Sequence, residues 1–316
     1  MAIAIVFPGQ GSQSVGMVSD LAETYPLVQE LYQSASEVLN YDLWQRVDRG
    51  PKEELDRTEC TQPAMLVAGV AVWQIAVASG SWRPQFLAGH SLGEYAALVC
   101  AGAIDFIDAV KLVAERGRLM QAAVPAGVGA MAAVLGLEDA QIVELCRAHS
   151  GAQIVSGANF NSPGQVVIAG HKEAVDQVML AAKTLGAKRS LLLPVSVPSH
   201  CALMTPAAKQ FAEYLQQVTV RAPLIPVVHN YNVKMLSSPT EIRQALVRQL
   251  DNPVLWSDSI RWQIKQGVTR FVECGPGKVL AGLIKRIDKS VAVDSLGDSS
   301  ALHEFLKARQ EEVADV

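Results

Sequence analysis

One serine lies in a pattern that can make it a nucleophile. Gly89-His90-Ser91-Leu92-Gly93 follows the apolar run Phe86–Ala88 and precedes the helical pattern Glu94–Ala101. Between a strand and a helix, G-x-S-x-G is typical of a nucleophile elbow, whose glycines allow a sharp turn that exposes the serine hydroxyl. The first helical amides then point at an oxygen that becomes negative. We predict Ser91 as nucleophile and the Leu92 N–H as oxyanion donor; the alternative is a chance match that marks only a turn.

A serine hydroxyl is a weak nucleophile at neutral pH and needs a general base, for which the chain offers six histidines. Neighbouring side chains in an elbow project apart, so we expect His90 to pack under the turn. Polar or helical surface contexts surround His149, His171 and His303. His229 and His200 remain. His200 ends Val197-Pro198-Ser199-His200, a loop that we expect to overhang a cleft, although a structural role is common for a lone histidine.

Arg116 lies on the wrong face of its helix for a solvated cation. The segment Phe106–Ala123 shows an apolar face that includes Arg116, whereas Lys111 and Arg118 line the opposite face. An inward arginine must meet an anion, because breaking a buried ion pair costs about 3–5 kcal/mol. The partner is either an internal Asp or Glu or a substrate carboxylate, which a planar guanidinium holds by two parallel hydrogen bonds.

Two glycine-rich turns resemble phosphate cradles without completing one. Gly9-Gln10-Gly11-Ser12-Gln13 follows the first apolar run but lacks the Lys-Ser/Thr end of a Walker sequence. Gly275-Pro276-Gly277-Lys278 reads equally well as a turn before a helix. Neither turn implies a nucleotide.

The elements that must position these residues indicate an α/β fold. Short β-rich runs, each ending in a glycine-containing turn and followed by a helical pattern, are Ile3–Phe7, Phe86–Gly89 and Arg270–Cys274. This alternation is typical of a parallel sheet, where ligands bind at the carboxyl ends of the strands. The turns that we expect to converge on one cleft are Pro8–Gln13, Gly89–Gly93 and Gly275–Lys278.

The middle of the chain shows a different order of predicted strands and helices. We predict strands at Met131–Leu135, Gln153–Ala158, Gln165–Ala169 and Arg189–Val195, with helices at Glu138–His149 and Lys172–Leu185. The order βαββαβ is that of a ferredoxin-like unit. We therefore predict a ferredoxin-like subdomain at 127–196, inserted into a large hydrolase-like α/β domain made of 1–126 and 197–316.

Composition excludes several classes of protein. Half of the 316 residues are hydrophobic, 18% are charged and the net charge is −4, which favours a compact enzyme over a disordered chain or a nucleic-acid-binding protein. The apolar run Ala64–Ala78 is too short to cross a bilayer and reads as a buried helix. The N-terminus lacks the features of a secretion signal, and five cysteines without C-x-x-C spacing indicate neither zinc nor a redox site. We expect a cytoplasmic protein with no membrane association.

Six motifs together resemble one family, the bacterial malonyl-CoA:acyl carrier protein transacylases. In the family's order they are Phe7-Pro8-Gly9-Gln10-Gly11-Ser12-Gln13, Gly89-His90-Ser91-Leu92-Gly93-Glu94-Tyr95, Arg116-Gly117, Asn159-Phe160-Asn161-Ser162-Pro163-Gly164-Gln165, Val197-Pro198-Ser199-His200 and Gly275-Pro276-Gly277. The resemblance runs nearly end to end. Polyketide-synthase acyltransferase domains are similar, but the Val-Pro-Ser-His sequence looks like the stand-alone fatty-acid version.

The resemblance implies a role for each site residue. Ser91 is the acylated nucleophile, His200 the general base and then acid, and Arg116 the clamp on the malonyl carboxylate. Further implied members are the Gln10 and Leu92 N–H groups as oxyanion donors, the Gln249 carbonyl that orients His200 in place of a triad acid, and Asn161 in support.

The implied reaction moves malonyl from malonyl-CoA to the phosphopantetheine thiol of acyl carrier protein for fatty acid biosynthesis, without metal or cofactor of the enzyme's own. Cations that are candidates for docking the acidic carrier are Lys278, Lys285, Arg286 and Lys289. One rival is a serine hydrolase, which usually places its histidine near the chain end, whereas 116 residues (316 − 200) follow His200. The second rival is a non-catalytic binding module that keeps the fold.

Overall fold

A computed structural model describes residues 2–78, 83–195 and 197–314. The strands are β1 (Ile3–Phe7), β2 (Phe86–Gly89), β3 (Gly129–Leu135), β4 (Val155–Ser162), β5 (Gln165–His171), β6 (Arg189–Leu192), β7 (Val227–Val228), β8 (Arg270–Glu273) and β9 (Ala292–Ser295). The helices before the middle unit are α1 (Ser19–Thr24), α2 (Pro26–Leu39), α3 (Leu43–Asp48), α4 (Lys52–Leu55), α5 (Thr58–Ala78), α6 (Gly93–Cys100) and α7 (Phe106–Ala123). Those that follow are α8 (Asp139–His149), α9 (Lys172–Thr184), α10 (Thr205–Leu215), α11 (Pro239–Asp251), α12 (Trp256–Lys265), α13 (Val279–Ile287) and α14 (Ser299–Ala314), with a 3-10 turn at Ala202–Met204.

The larger sheet is parallel, as the strand-turn-helix alternation predicts. Its order is β7-β2-β1-β8-β9, and β1 pairs in parallel with both β2 and β8. Side chains of β1 alternate between two cores: Ile3, Ile5 and Phe7 join the core on one face, and Ala4 and Val6 the core on the other. Burial on both faces is the normal condition of a parallel sheet under helices, and it leaves the carboxyl-end turns as the open edge.

The smaller sheet is antiparallel, with the order β4-β5-β3-β6. Within the unit β3-α8-β4-β5-α9-β6 this is the βαββαβ arrangement that the sequence predicts. One face of the sheet packs on α8 and α9 through Ile142, Val175 and their neighbours, and the other face carries Met131 and Val167. The proposed division at 127 and 196 has the support of two separate sheets and stays a prediction; Ser196 lies outside the described residues.

Several predicted bounds are wrong by a few residues. The second strand of the unit begins at Val155 and runs to Ser162 rather than covering Gln153–Ala158, because it pairs with β5 as a tight hairpin whose turn contains Gly164 with φ +69°. The last strand ends at Leu192 instead of Val195. Helix α8 begins at Asp139 because Glu138 caps it, in a reciprocal pair of hydrogen bonds with Gln141.

Helix α5 contains the apolar run that the sequence analysis assigns to the interior. By length and composition it is the one helix among the described residues that could cross a membrane, but 89% of its most apolar window is buried inside the protein. It starts at Thr58, with Pro63 inside it. It packs against α2, α6 and α7, and Trp73 makes an edge contact with Phe7 of β1, which is the place of a core helix.

Candidate active site

A pocket of about 280 Å³ lies between the carboxyl-end turns of the parallel sheet and the open face of the antiparallel sheet. The turn after β1 contributes Gly9 and Gln10, and the elbow after β2 contributes Ser91. The third predicted turn approaches through Gly275, whose added Cβ would lie 2.9 Å from Pro8, and helix α13 then supplies Val279 to the wall. The turns that follow β1 and β2 thus converge as predicted, and the turn after β8 delivers α13.

The elbow is built from close backbone contacts. Ser91 has φ +52°, which is rare for a residue with a side chain and costs of the order of 1–3 kcal/mol. A Cβ on Gly89 would lie 1.9 Å from the Gly93 backbone, and one on Gly93 would lie 2.0 Å from the Phe7 carbonyl. Only glycine fits at either position, which is why the strand can turn into α6 with the serine at its tip.

In the structure Ser91, His200 and Gln249 are linked by consecutive hydrogen bonds. His200 Nε2 lies 2.7 Å from Ser91 Oγ, and His200 Nδ1 lies 2.7 Å from the Gln249 carbonyl oxygen. A carbonyl only accepts, so Nδ1 carries the proton and Nε2 is free to accept the serine proton. Burial, and then the charge of Arg116, lower the pKa of His200 to about 3. The imidazole is therefore neutral at physiological pH, as a general base must be.

The other candidate base, His229, has a different role. Its ring is fully buried and Nδ1 lies 2.8 Å from Glu94 Oε1. His90, which the sequence analysis places under the turn, instead lines the pocket, with Nε2 2.8 Å from Asn161 Oδ1 and its ring against Trp256. This contact ties the elbow to the antiparallel sheet through Asn161, the residue predicted to support the site.

Arg116 projects from α7 to the bottom of the pocket, with 1% of its surface exposed. Its Nη1 donates to Gln62 Oε1 at 2.9 Å, and its Nη2 donates to Gln249 Oε1 at 3.0 Å and to Ser91 Oγ at 3.3 Å. Among the described residues no Asp or Glu oxygen lies within 4.0 Å of the guanidinium. Of the two anions that the sequence leaves open, an internal carboxylate in direct contact is therefore excluded within the part of the chain that the structure describes.

The two predicted oxyanion donors, the N–H groups of Gln10 and Leu92, belong to neighbouring turns. A Cβ added to Gly9 would lie 2.4 Å from the His90 carbonyl and 3.7 Å from Leu92 N, so the turn that carries Gln10 lies directly against the elbow. The Ser91 N–H is already engaged, since it donates to Asn230 Oδ1 at 2.7 Å. The N–H groups of Gln10 and Leu92 lie outside the helices and strands. Among the described residues neither of them donates a hydrogen bond to a carbonyl or a side chain.

Sequence reasoning missed the polar residues beneath the elbow. Glu94 is fully buried and bonds to His229, Asn230 and Gln249, and Gln62 holds the back of Arg116. A signal existed for Glu94, because it is the one charged residue in the apolar stretch 93–104. No local pattern marks Asn230 or Gln62, whose roles depend on contacts across the fold.

The lowered pKa of His200 predicts an unusual pH profile. Because the pKa lies at about 3, the base form persists as pH falls, and the reaction of Ser91 with an uncharged serine reagent should not decline along an ordinary histidine titration near pH 6.5. In Arg116→Ala the acidic limb should move to higher pH, since one cause of the lowering is removed while burial remains. Rates of inactivation from about pH 4 to 8 test this; a wild-type midpoint near 6.5 would contradict it.

Comparisons with known proteins find a matching family and similar chains. Residues 4–303 match the family model described as acyl transferase domain. The chain is 56% identical over 299 residues, 95% of its length and 97% of the relative's, to the malonyl CoA-acyl carrier protein transacylase of Escherichia coli K12. It is 43% identical over 294 residues to the protein of the same name from Staphylococcus aureus MRSA252, covering 93% of this chain and 94% of the relative.

Solved structures show the same fold. The malonyl CoA-acyl carrier protein transacylase of Coxiella burnetii superposes with a TM-score of 0.95 at 49% identity and covers 97% of both chains. A malonyl-transacylase in complex with its holo type II PKS acyl-carrier protein superposes with a TM-score of 0.96 at 51% identity, covering 98% of this chain and all of the other.

Proposed function

Because this chain belongs to the acyl transferase family, in its branch of malonyl-CoA:acyl carrier protein transacylases, we propose that it carries malonyl from coenzyme A to acyl carrier protein on Ser91. The observation that supports this most directly is the position of Arg116, whose Nη2 lies 3.3 Å from Ser91 Oγ, while no carboxylate oxygen of the described residues contacts the guanidinium directly. In malonyl a single methylene separates the thioester carbonyl from the carboxylate. A cation beside the nucleophile therefore matches a short diacid.

The first half of the reaction loads the enzyme. His200 Nε2 takes the proton of Ser91 as Oγ attacks the thioester carbon, and the Gln10 and Leu92 N–H groups stabilise the oxyanion. When the tetrahedral intermediate collapses, the carbon–sulfur bond breaks and His200 returns the proton to the leaving coenzyme A thiol. Malonyl is then an ester on Ser91, with its carboxylate on Arg116.

The second half reverses the roles with a new thiol. The phosphopantetheine thiol of the carrier gives its proton to His200 and attacks the ester carbon, and the proton moves to Ser91 Oγ as the carbon–oxygen bond breaks. Nucleophile and base both come from the chain, so we propose that the enzyme needs no cofactor of its own. The thiol-bearing groups that enter and leave the site belong to the two substrates, coenzyme A and the carrier protein.

The carrier must approach the mouth of the pocket. Helix α13 lines that mouth with Val279 and Leu283, and on the same helix Arg286 bonds to Gln165, a pocket residue on the antiparallel sheet. Lys285 donates to the Val291 carbonyl at 2.6 Å, and Lys278 lies 3.8 Å from Asp298. Of these three candidate cations Arg286 is the one that bonds to a pocket residue, which favours it for contact with an acidic carrier. The docking role of all four candidates stays a prediction.

We also propose a cytoplasmic location. All five cysteines are free in the structure, and Cys60, Cys146, Cys201 and Cys274 are buried. Unpaired buried thiols suit a reducing compartment. The free phosphopantetheine thiol of the carrier must likewise stay reduced to accept malonyl.

Product analysis separates transfer from the rival hydrolase reaction. With labelled malonyl-CoA and holo carrier protein, we expect malonyl on the carrier to form faster than free malonate, because a thiol deprotonated by His200 is a stronger nucleophile toward the ester than water. Carrier protein without its phosphopantetheine is the matched control and should receive no label. Malonate that outpaces transfer in the presence of holo carrier would identify a hydrolase instead.

A further inference from the structure

A buried carboxylate under the elbow has no part in the reaction as described so far. Glu94 lies in the first turn of α6 and is fully buried. Its Oε1 lies 2.8 Å from His229 Nδ1, and its Oε2 accepts from the Asn230 N–H and from Gln249 Nε2, each at 2.9 Å. Three donors, each more than 130 positions from Glu94 in the sequence, thus meet at one side chain.

We propose that Glu94 is the positioning residue of this active site, which holds Gln249 and Asn230 so that the Ser91–His200 pair is aligned for acyl transfer. The inference rests on the proposed function and deepens it. It assigns to a buried glutamate, acting through two amides, the orienting task that a triad acid performs by direct contact with histidine.

Two of the three partners of Glu94, Asn230 and Gln249, also hydrogen-bond to the backbone at the nucleophile. Asn230 Oδ1 accepts from the Ser91 N–H at 2.7 Å, and Asn230 Nδ2 donates to the Gly89 carbonyl at 2.7 Å. Gln249 Nε2 donates to the Ser91 carbonyl at 2.9 Å. Backbone at φ +52° persists only where its surroundings hold it, and these hydrogen bonds are that restraint.

Glu94 also decides which way the Gln249 amide faces. An ionised carboxylate only accepts, so the NH₂ of Gln249 must face Glu94, and Oε1 must face Arg116, from which it accepts at 3.0 Å. The backbone carbonyl of the same Gln249 accepts from His200 Nδ1. Through one glutamine, Glu94 therefore fixes the base, and it balances the Arg116 charge without occupying the face that binds substrate.

A carboxamide cannot replace this carboxylate without breaking a contact. The oxygen of glutamine can serve Asn230 and Gln249 only if its NH₂ faces His229 Nδ1. That ring must then carry its proton on Nε2, a buried atom without a hydrogen-bond partner in the described structure, and an unpaired buried donor costs about 1–3 kcal/mol. The opposite orientation turns one NH₂ against another.

Single-turnover kinetics of Glu94→Gln test the proposal. The first-order rate constant for acylation of Ser91 should fall by about 10-fold or more, both with malonyl-CoA and with a fluorophosphonate probe that has no carboxylate. The burst amplitude reports how much enzyme is folded, whereas the rate constant does not depend on it. A merely structural role would lower the amplitude alone, so an unchanged rate constant overturns the inference, as does a loss confined to malonyl-CoA.

A matched control is Glu273→Gln. Glu273 is also fully buried and accepts from the N–H groups of Leu280 and Ala281, but it makes no hydrogen bond to the elbow. We expect lost stability and a wild-type rate constant.

Should Glu94→Gln fail to fold, Glu94→Asp provides the same test, because it keeps the charge and moves the carboxylate oxygens away from Gln249. If the wild-type enzyme shows no malonyl burst, the proposed function itself is refuted. If the wild type shows a burst and Glu94→Gln keeps its rate constant, only the positioning role of Glu94 is refuted.

Discussion

Replacing Ser91 with alanine should abolish the malonyl-enzyme and lower transfer to the carrier by a factor on the order of 10⁴ or more. The hydroxyl is the one serine oxygen at 2.7 Å from His200 Nε2 in the described structure, and without it no ester can form. The elbow should keep its shape, since alanine meets the same strain at φ +52° and the bonds to Asn230 and Gln249 use only the backbone of residue 91. Mass spectrometry of the intact protein after exposure to malonyl-CoA measures the adduct.

Ser12→Ala is the control for this substitution. Ser12 lines the same pocket but makes no hydrogen bond to His200. That variant should acquire the malonyl adduct as the wild type does. A stoichiometric adduct on Ser91→Ala would place the nucleophile elsewhere in the chain.

The elbow and the helix that carries Arg116 were predictable because both depend on local rules. The two glycines and the strand before them suffice to indicate an exposed serine. Helix α7 spans Phe106–Ala123 as its apolar periodicity predicts, and the same periodicity turns Arg116 inward. A buried cation needs an anionic partner whatever the tertiary structure is. The sequence alone therefore indicates a carboxylate partner for Arg116 but does not show which one.

The support beneath the elbow was not predictable in this way. Asn230 reaches Ser91 across 139 positions and Gln249 across 158. Each contact therefore depends on the tertiary packing that brings the end of β7 and helix α11 to the elbow. The role of the Gln249 carbonyl came only from resemblance to a family, since any backbone carbonyl looks alike in a sequence. His90 shows the reverse error: a local rule about neighbouring side chains placed it under the turn, and its contact with Asn161 on the antiparallel sheet overrides that rule.

Arg116→Ala should separate recognition of malonyl from the chemistry of acylation. Hydrogen bonds to a charged partner contribute about 1.5–3 kcal/mol each, so loss of the pair should lower kcat/KM for malonyl-CoA on the order of 100-fold or more. Acetyl-CoA has no second carboxylate, and its slower reaction should change little or improve. Arg116→Lys should restore only part of the malonyl preference, because a point charge cannot make two parallel hydrogen bonds.

Arg118 supplies the comparison on the same helix. It lies two residues further on, faces solvent and pairs with Glu115 at 2.6 Å, so Arg118→Ala removes an equal charge without touching the pocket. Malonyl-CoA kinetics should be unchanged in that variant. If Arg116→Ala loses acetyl-CoA and malonyl-CoA activity by equal factors, the arginine acts on Ser91, which it contacts at 3.3 Å, rather than on the substrate carboxylate. The selectivity for a short diacid would then have to arise elsewhere in the pocket, since Arg116 is the only Arg or Lys among the described residues that line it.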